Sequence, residues 1–178
     1  MALYRNTYRI ESTRLQEWDY GSPGLYFVTI CTKIRRPWFG FMVGETISLS
    51  RLGNYVEEAL HSISEHHPYA YVDSCIVMPD HVHAIIGLRA KKRGSIDDGR
   101  QVRRQRQFGS DAAGSLSVVV GQFKAAVTRR AGRNGIDGFA WQPRFHDSIV
   151  RSERHLRFVR RYIRENPTRH ARKTRFPT

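Results

Sequence analysis

Cysteine is scarce. Cys31 and Cys75 are the only two, they lie far apart, and they form no Cys-x-x-Cys pair, which excludes a disulfide framework and a zinc knuckle. Both sit in apolar runs and read as buried thiols. No uncharged run approaches the roughly eighteen apolar residues that a membrane-spanning helix needs. The opening Met1-Ala2-Leu3-Tyr4-Arg5-Asn6 lacks the apolar stretch of a secretion signal, so a cytoplasmic location is expected. Acids are also few: sixteen Asp+Glu stand against thirty Lys+Arg, a formal net charge of +14. Ordinary soluble domains need a net charge of only about 2–8. The excess makes the surface a sink for polyanions, because each bound phosphate releases condensed counterions, and nucleic acid is the leading partner class. The basic residues are spread along the chain and form no single amphipathic helix, which argues against a membrane surface as partner.

What is present is a fold. Of 178 residues 40% are apolar and 11% aromatic, which is too much for a disordered basic tail and about one domain's worth of chain. No internal repeat is visible. Residues 1–23 are polar and basic with scattered aromatics and end at Gly21-Ser22-Pro23-Gly24, so they read as an arm. Leu25 to Thr32 is β-branched and aromatic throughout, as in a strand buried on both faces. Phe39–Val43 and Thr46–Leu49 flank Gly44-Glu45, a two-residue hairpin signal. From Ser50, an N-cap, Leu52, Val56, Ala59, Leu60 and Ile63 recur at helical spacing up to Pro68. Tyr71–Met78 and His81–Leu88 are strands separated by Pro79-Asp80. Residues 89–114 are basic, Gly-rich and poor in apolar side chains, a flexible insertion. Leu116 to Val127 marks a second helix closed near Gly132 and Gly135, and Phe139–Val150 is a strand candidate. A last helix starts at the N-cap Ser152 and is expected to stop at Asn166 before Pro167, leaving 168–178 as a basic tail. The order predicts a single α+β domain over 1–178: a ferredoxin-like sandwich of antiparallel sheet and helices with one further helix at the carboxyl end.

Two patterns carry chemistry. His81-Val82-His83 on a strand sends both imidazoles out of one face, roughly 7 Å apart at the backbone, with Val82 turned into the core. Alone, such a pair serves equally as metal ligands or as a structural pair. On the last helix, Leu156, Val159 and Ile163 form the apolar stripe, while His155, Tyr162 and Asn166 fall together on its flank. Tyr162 and Asn166 are neighbours one turn apart.

The chain here resembles the single-tyrosine HUH transposases, more narrowly those associated with repetitive extragenic palindromes (REP). The matching pieces are Tyr26-Phe27-Val28-Thr29-Ile30, Val77-Met78-Pro79-Asp80-His81-Val82-His83, Trp141-Gln142 ahead of Phe145-His146-Asp147, and Tyr162-Ile163-Arg164-Glu165-Asn166-Pro167, in an order that spans roughly residues 18–167. Asp80 stands where asparagine is frequent in that family, and the segment 89–114 is longer than its core pattern requires. The resemblance implies that His81, His83 and Asn166 ligate a divalent metal, Mg²⁺ or Mn²⁺, and that Tyr162 is the nucleophile of single-stranded DNA cleavage and strand transfer at hairpins. It also implies an N-terminal region that helps to read a short single-stranded guide, and action as a monomer or a homodimer.

The DNA is expected along the last helix, where ten Lys+Arg and two acids fall in 151–178: Arg154, Arg157, Arg160, Arg161 and Arg164 accompany Tyr162. Trp18 and Tyr20 beside Arg14 are placed to stack on unpaired bases or to staple the arm onto the fold. The phenol needs a proton acceptor, for which His155 and a metal-bound water are the candidates. Three other readings compete: a non-catalytic nucleic-acid-binding regulator on the same scaffold, a replication or relaxase-type HUH nuclease, and an RNA-recognition module. The last lacks its glycine-aromatic strand pattern.

Overall fold

A computed structural model of the protein describes residues 3–4, 7–8, 20–90 and 115–175, with side chains over 20–90 and 115–172. Two short strands, β1 (Leu3–Tyr4) and β2 (Thr7–Tyr8), pair with each other inside the expected arm. Then follow β3 (Gly24–Cys31), the hairpin β4 (Gly40–Val43) and β5 (Thr46–Leu49), α1 (Arg51–His61), α2 (Ile63–His66), β6 (Ala70–Val77), β7 (His81–Leu88), α3 (Leu116–Arg133), β8 (His146–Val150) and α4 (Glu153–Arg175).

The central sheet runs β6-β7-β3-β8, every neighbour antiparallel. With α1 and α3 as the two crossover helices this is the ferredoxin-like order expected from the sequence. Alternation along the strands divides the sheet into two faces. Tyr26, Val28 and Ile30 of β3 and Val82, Ala84 and Ile86 of β7 join the main core with Val56 and Leu60 of α1 and Val120, Phe123 and Val127 of α3. The opposite face is covered by α4: Leu156, Val159 and Ile163 pack on Ile85, with Leu25, Phe27, Ile76, Val150 and Tyr162 around them.

Local chemistry explains the helix starts. Ser50 accepts from the Gly53 amide at 3.0 Å and donates its hydroxyl to the Trp38 carbonyl at 2.7 Å, tying the cap of α1 to the preceding loop. Gly53 itself is required by a close approach: a Cβ there would lie 1.9 Å from the Phe39 carbonyl oxygen. Ser115 caps α3 through the Val118 amide, and Ser152 receives the His155 amide at the start of α4.

Three boundaries differ from expectation. The first helix breaks at Ser62 into α1 and α2. The strand expected over Phe139–Val150 is regular only from His146. Residues 140–142 still meet the end of β3, through a Thr32–Trp141 bridge and the Gln142 amide on the Cys31 carbonyl at 2.9 Å, but the ladder is interrupted before His146, where Lys124 of α3 donates to the carbonyls of Gln142 (2.5 Å) and Arg144 (3.4 Å). Helix α4 runs through Pro167 to Arg175, so 168–175 is helix and not an irregular tail. Proline there removes one backbone bond, at a cost of about 3 kcal/mol. Burial of Ala171 beyond it, the Arg169–Glu165 pair at 3.0 Å and a Thr168–Glu45 hydrogen bond at 3.3 Å hold the following turns. Of the insertion expected over 89–114, residues 91–114 lie outside the described residues, and Arg89 donates its amide to the Tyr69 carbonyl at 2.7 Å. None of the described helices is long and apolar enough to cross a membrane.

Candidate active site

The site lies between the α4 face of the sheet and α4 itself. On β7, His81 and His83 leave the same face, as period-two alternation requires, and their ε nitrogens stand 3.2 Å apart. Each ring is held from its other nitrogen. His81 donates Nδ1–H to Asp80 Oδ1 at 2.6 Å, and His83 Nδ1 shares a 2.9 Å hydrogen bond with Thr29 Oγ1, its partner across the β3–β7 ladder. Arg35 adds a second contact to Asp80 at 3.6 Å. The His81 hydrogen bond, working against burial, holds the Asp80 carboxyl below its ordinary value. Burial, helped by the neighbouring His81, pushes His83 down to about 3, so its imidazole is neutral.

This pair fits a metal. When Thr29 accepts from His83 Nδ1–H, both ε nitrogens turn lone pairs to one another across 3.2 Å and a cation fits between them; when Thr29 donates instead, His83 Nε2–H bonds to His81 Nε2 and the pair closes on itself. The separation suits two nitrogens on adjacent corners around one ion with bonds of about 2.1 Å. A partner on the far nitrogen of each ring is also the usual device for fixing a ligand histidine's tautomer. Among the described residues no group of three His, Cys, Asp or Glu is arranged to hold a metal ion, so further donors would have to be an amide and the substrate.

Helix α4 brings the phenol to this pair. The Tyr162 ring lies edge-on to His83 with centroids 5.3 Å apart, and edge-on to Phe27 at 5.8 Å, while Phe27 stacks on His83 at 5.5 Å. Asn166, one turn on, is buried. His81, His83 and Tyr162 thus form one run of ring contacts between β7 and α4, with Asn166 on the same side of the helix. His155 stands two turns before Tyr162, about 10 Å along the axis, beyond direct proton transfer.

The remaining expected residues separate. Arg154, Arg157, Arg161 and Arg164 are exposed along α4. Arg160 is instead committed to a bidentate pair with Asp73 of β6, at 2.8 and 2.5 Å, and is removed from the set free for phosphate. Tyr20 packs on Tyr26 at 5.9 Å against the main core, the stapling role; Arg14 and Trp18 lie outside the described residues. Trp141 is a core residue, packed on Phe39 and Phe139 and donating to the Lys124 carbonyl. Sequence reasoning missed Thr29, Phe27 and Arg169, whose guanidinium lies 5.8 Å from the Tyr162 ring centroid. Thr29 left a trace as the lone hydroxyl on the α4-facing side of an apolar strand. Arg169 left none once the helix was ended at Asn166.

Fold and site together define a ferredoxin-like domain with a histidine pair on its sheet and a tyrosine on a covering helix. This is the fold of a solved REP-associated tyrosine transposase bound to a REP hairpin, which superposes with a TM-score of 0.58 at 20% identity, over 90% of this chain and 74% of that one. By sequence, the chain is 31% identical over 156 residues to an uncharacterized protein of Haemophilus influenzae, covering 88% of this chain and 87% of that one, and it belongs to the same family as that protein. No family model matches the chain.

Proposed function

We propose that the protein is a DNA strand transferase of the transposase type that cleaves single-stranded DNA beside hairpins, with Tyr162 as nucleophile. The observation that carries this reading is the 5.3 Å approach of the Tyr162 and His83 rings, beside the facing imidazole of His81. The shared fold with a transposase bound to a hairpin supports the substrate class. His81, His83 and Asn166 would hold a divalent ion, Mg²⁺ or Mn²⁺, which when bound supplies polarisation of the scissile phosphate and offsets charge as it develops.

The chain's own groups do the rest. Tyr162 Oη attacks phosphorus, a phenolic O–P bond forms, the P–O3′ bond breaks, and the 3′ oxygen leaves with a proton. The product is a 5′-phosphotyrosine that conserves the bond energy, so a second 3′ hydroxyl can reverse the step and join strands without ATP. A free phenol titrates near about 10 and must lose its proton in the attack. Arg169 places positive charge over the ring where phenolate charge develops, and Phe27 limits the ring's rotation from the other side.

Incubation with Mn²⁺ and a hairpin-bearing single strand should give a covalent protein–DNA adduct on a denaturing gel. His81→Ala and His83→Ala should lose it while retaining hairpin binding. A wild-type protein that binds the hairpin but forms no adduct with any divalent ion would make the chain a regulator on this scaffold instead.

A further inference from the structure

Phe158 is 55% exposed on α4, although a helix that packs on a sheet has an apolar stripe to receive such a ring. At 100° per residue it lies about 40° around the helix from Tyr162 and one turn before it, about 6 Å along the axis. It is therefore outside the stripe of Leu156, Val159 and Ile163 and on the open flank of the nucleophile. Arg154 and Arg161, four residues before and three after, are its neighbours on the helix surface. With Arg157 and Arg164, and with Arg160 held by Asp73 on its far side, they line an open recess of about 560 Å³ that has the phenyl ring at one edge.

An apolar ring framed by guanidinium groups asks for an occupant with both a π face and negative charge. A second copy of this chain would bring the same arginines against their like, and duplex DNA keeps its base faces stacked inside. An unpaired nucleotide has both properties: the base covers the ring and the adjoining phosphates meet the arginines. We propose that Phe158 is a stacking platform for an unpaired base next to the phosphate presented to Tyr162, so that α4 registers the single strand as well as attacking it. The proposal rests on the reading of α4 as the DNA-facing helix, and it names the residue that would favour single strand over duplex.

The test is binding without metal, which is independent of cleavage: anisotropy of a labelled single strand and of the duplex of the same sequence, titrated with wild type, Phe158→Ala, Phe158→Leu and Phe158→Trp. Phe158→Ala should weaken single-strand binding about tenfold, Phe158→Trp should restore it, Phe158→Leu should not, and duplex affinity should be unchanged in all three. Equal single-strand affinity for wild type and Phe158→Ala overturns the proposal while leaving the strand-transferase reading intact. So does full rescue by leucine, or sedimentation showing a wild-type dimer that Phe158→Ala dissociates. A wild type without affinity for either DNA overturns both.

Discussion

The ring of Tyr162 stands edge-on to that of His83, at an interplanar angle of 71° and a centroid separation of 5.3 Å. One residue comes from the third strand of the central sheet's chain order and the other from the helix that covers the sheet. The contact is made because Ile85, two residues beyond His83, is the apolar point on which Leu156, Val159 and Ile163 dock. The same packing that buries the helix stripe thus sets the distance between phenol and imidazole.

Thr29 should matter to the metal more than its place in a hydrophobic strand suggests. Its hydroxyl is the partner of His83 Nδ1, so Thr29→Val keeps the shape of the side chain and removes the group that orients the ring. By the usual effect of such outer partners, Mn²⁺ affinity measured by calorimetry should fall about 10- to 100-fold, and Thr29→Ser should keep it. Equal affinity in Thr29→Val would place the orientation elsewhere.

The arginines of α4 should divide by their partners. Arg161 meets no carboxylate among the described residues, whereas Arg160 grips Asp73. Arg161→Ala should reduce the slope of log affinity against log salt for a single strand by about 0.7. Arg160→Ala should leave that slope nearly unchanged. Equal effects would mean that the Asp73 pair opens when DNA binds.

Alanine is a better helix former than glycine, yet Gly53→Ala should destabilise the fold. The added Cβ meets a backbone carbonyl oxygen at 1.9 Å, and no side chain can swing aside to relieve it. A loss of about 1–3 kcal/mol is expected from chemical denaturation. A neutral or stabilising result would mean that α1 can slide away from Phe39 freely.

Burial, with Glu57 nearby, pushes the Cys75 thiol up to about 11. In the unfolded chain it would ionise near about 8.5. Because the folded value is the higher one, the stability it contributes is whole below pH of about 8.5 and is lost as pH rises toward 11. Iodoacetamide at pH 8 should therefore alkylate native Cys75 about 100-fold more slowly than the denatured chain. In thermal melts the stability difference between wild type and Cys75→Ala should shift against wild type above pH 9.

Much of this site was legible in the sequence because short periods fix it. His81 and His83 must share a face of any strand, and Tyr162 and Asn166 must share a face of any helix, whatever the rest of the chain does. The order of the strands followed from the alternation of strand pairs with single helices. What escaped depends on contacts distant in sequence. Nothing near Arg160 announces Asp73, and nothing near His83 announces Thr29, which reaches it only through strand pairing. Pro167 reads as a helix end by local rules, and only the packing of Ala171 with the contacts of Thr168 and Arg169 shows why the helix continues. The expected strand over Phe139–Val150 is interrupted for the same reason: Trp141 bridges Thr32 and His146 pairs with Thr29, while between them Lys124 of another element holds the backbone at Gln142 and Arg144.

The central claim is that the phenol beside the histidine pair becomes bonded to DNA, and peptide mapping tests it most directly. The adduct formed with Mn²⁺ and a hairpin-bearing single strand would be digested with nuclease and trypsin and read by mass spectrometry. The account predicts a nucleotide on the peptide Tyr162-Ile163-Arg164, attached through its 5′ phosphate, and no adduct from Tyr162→Phe. A nucleotide on any other tyrosine, or an undiminished adduct from Tyr162→Phe, would contradict it.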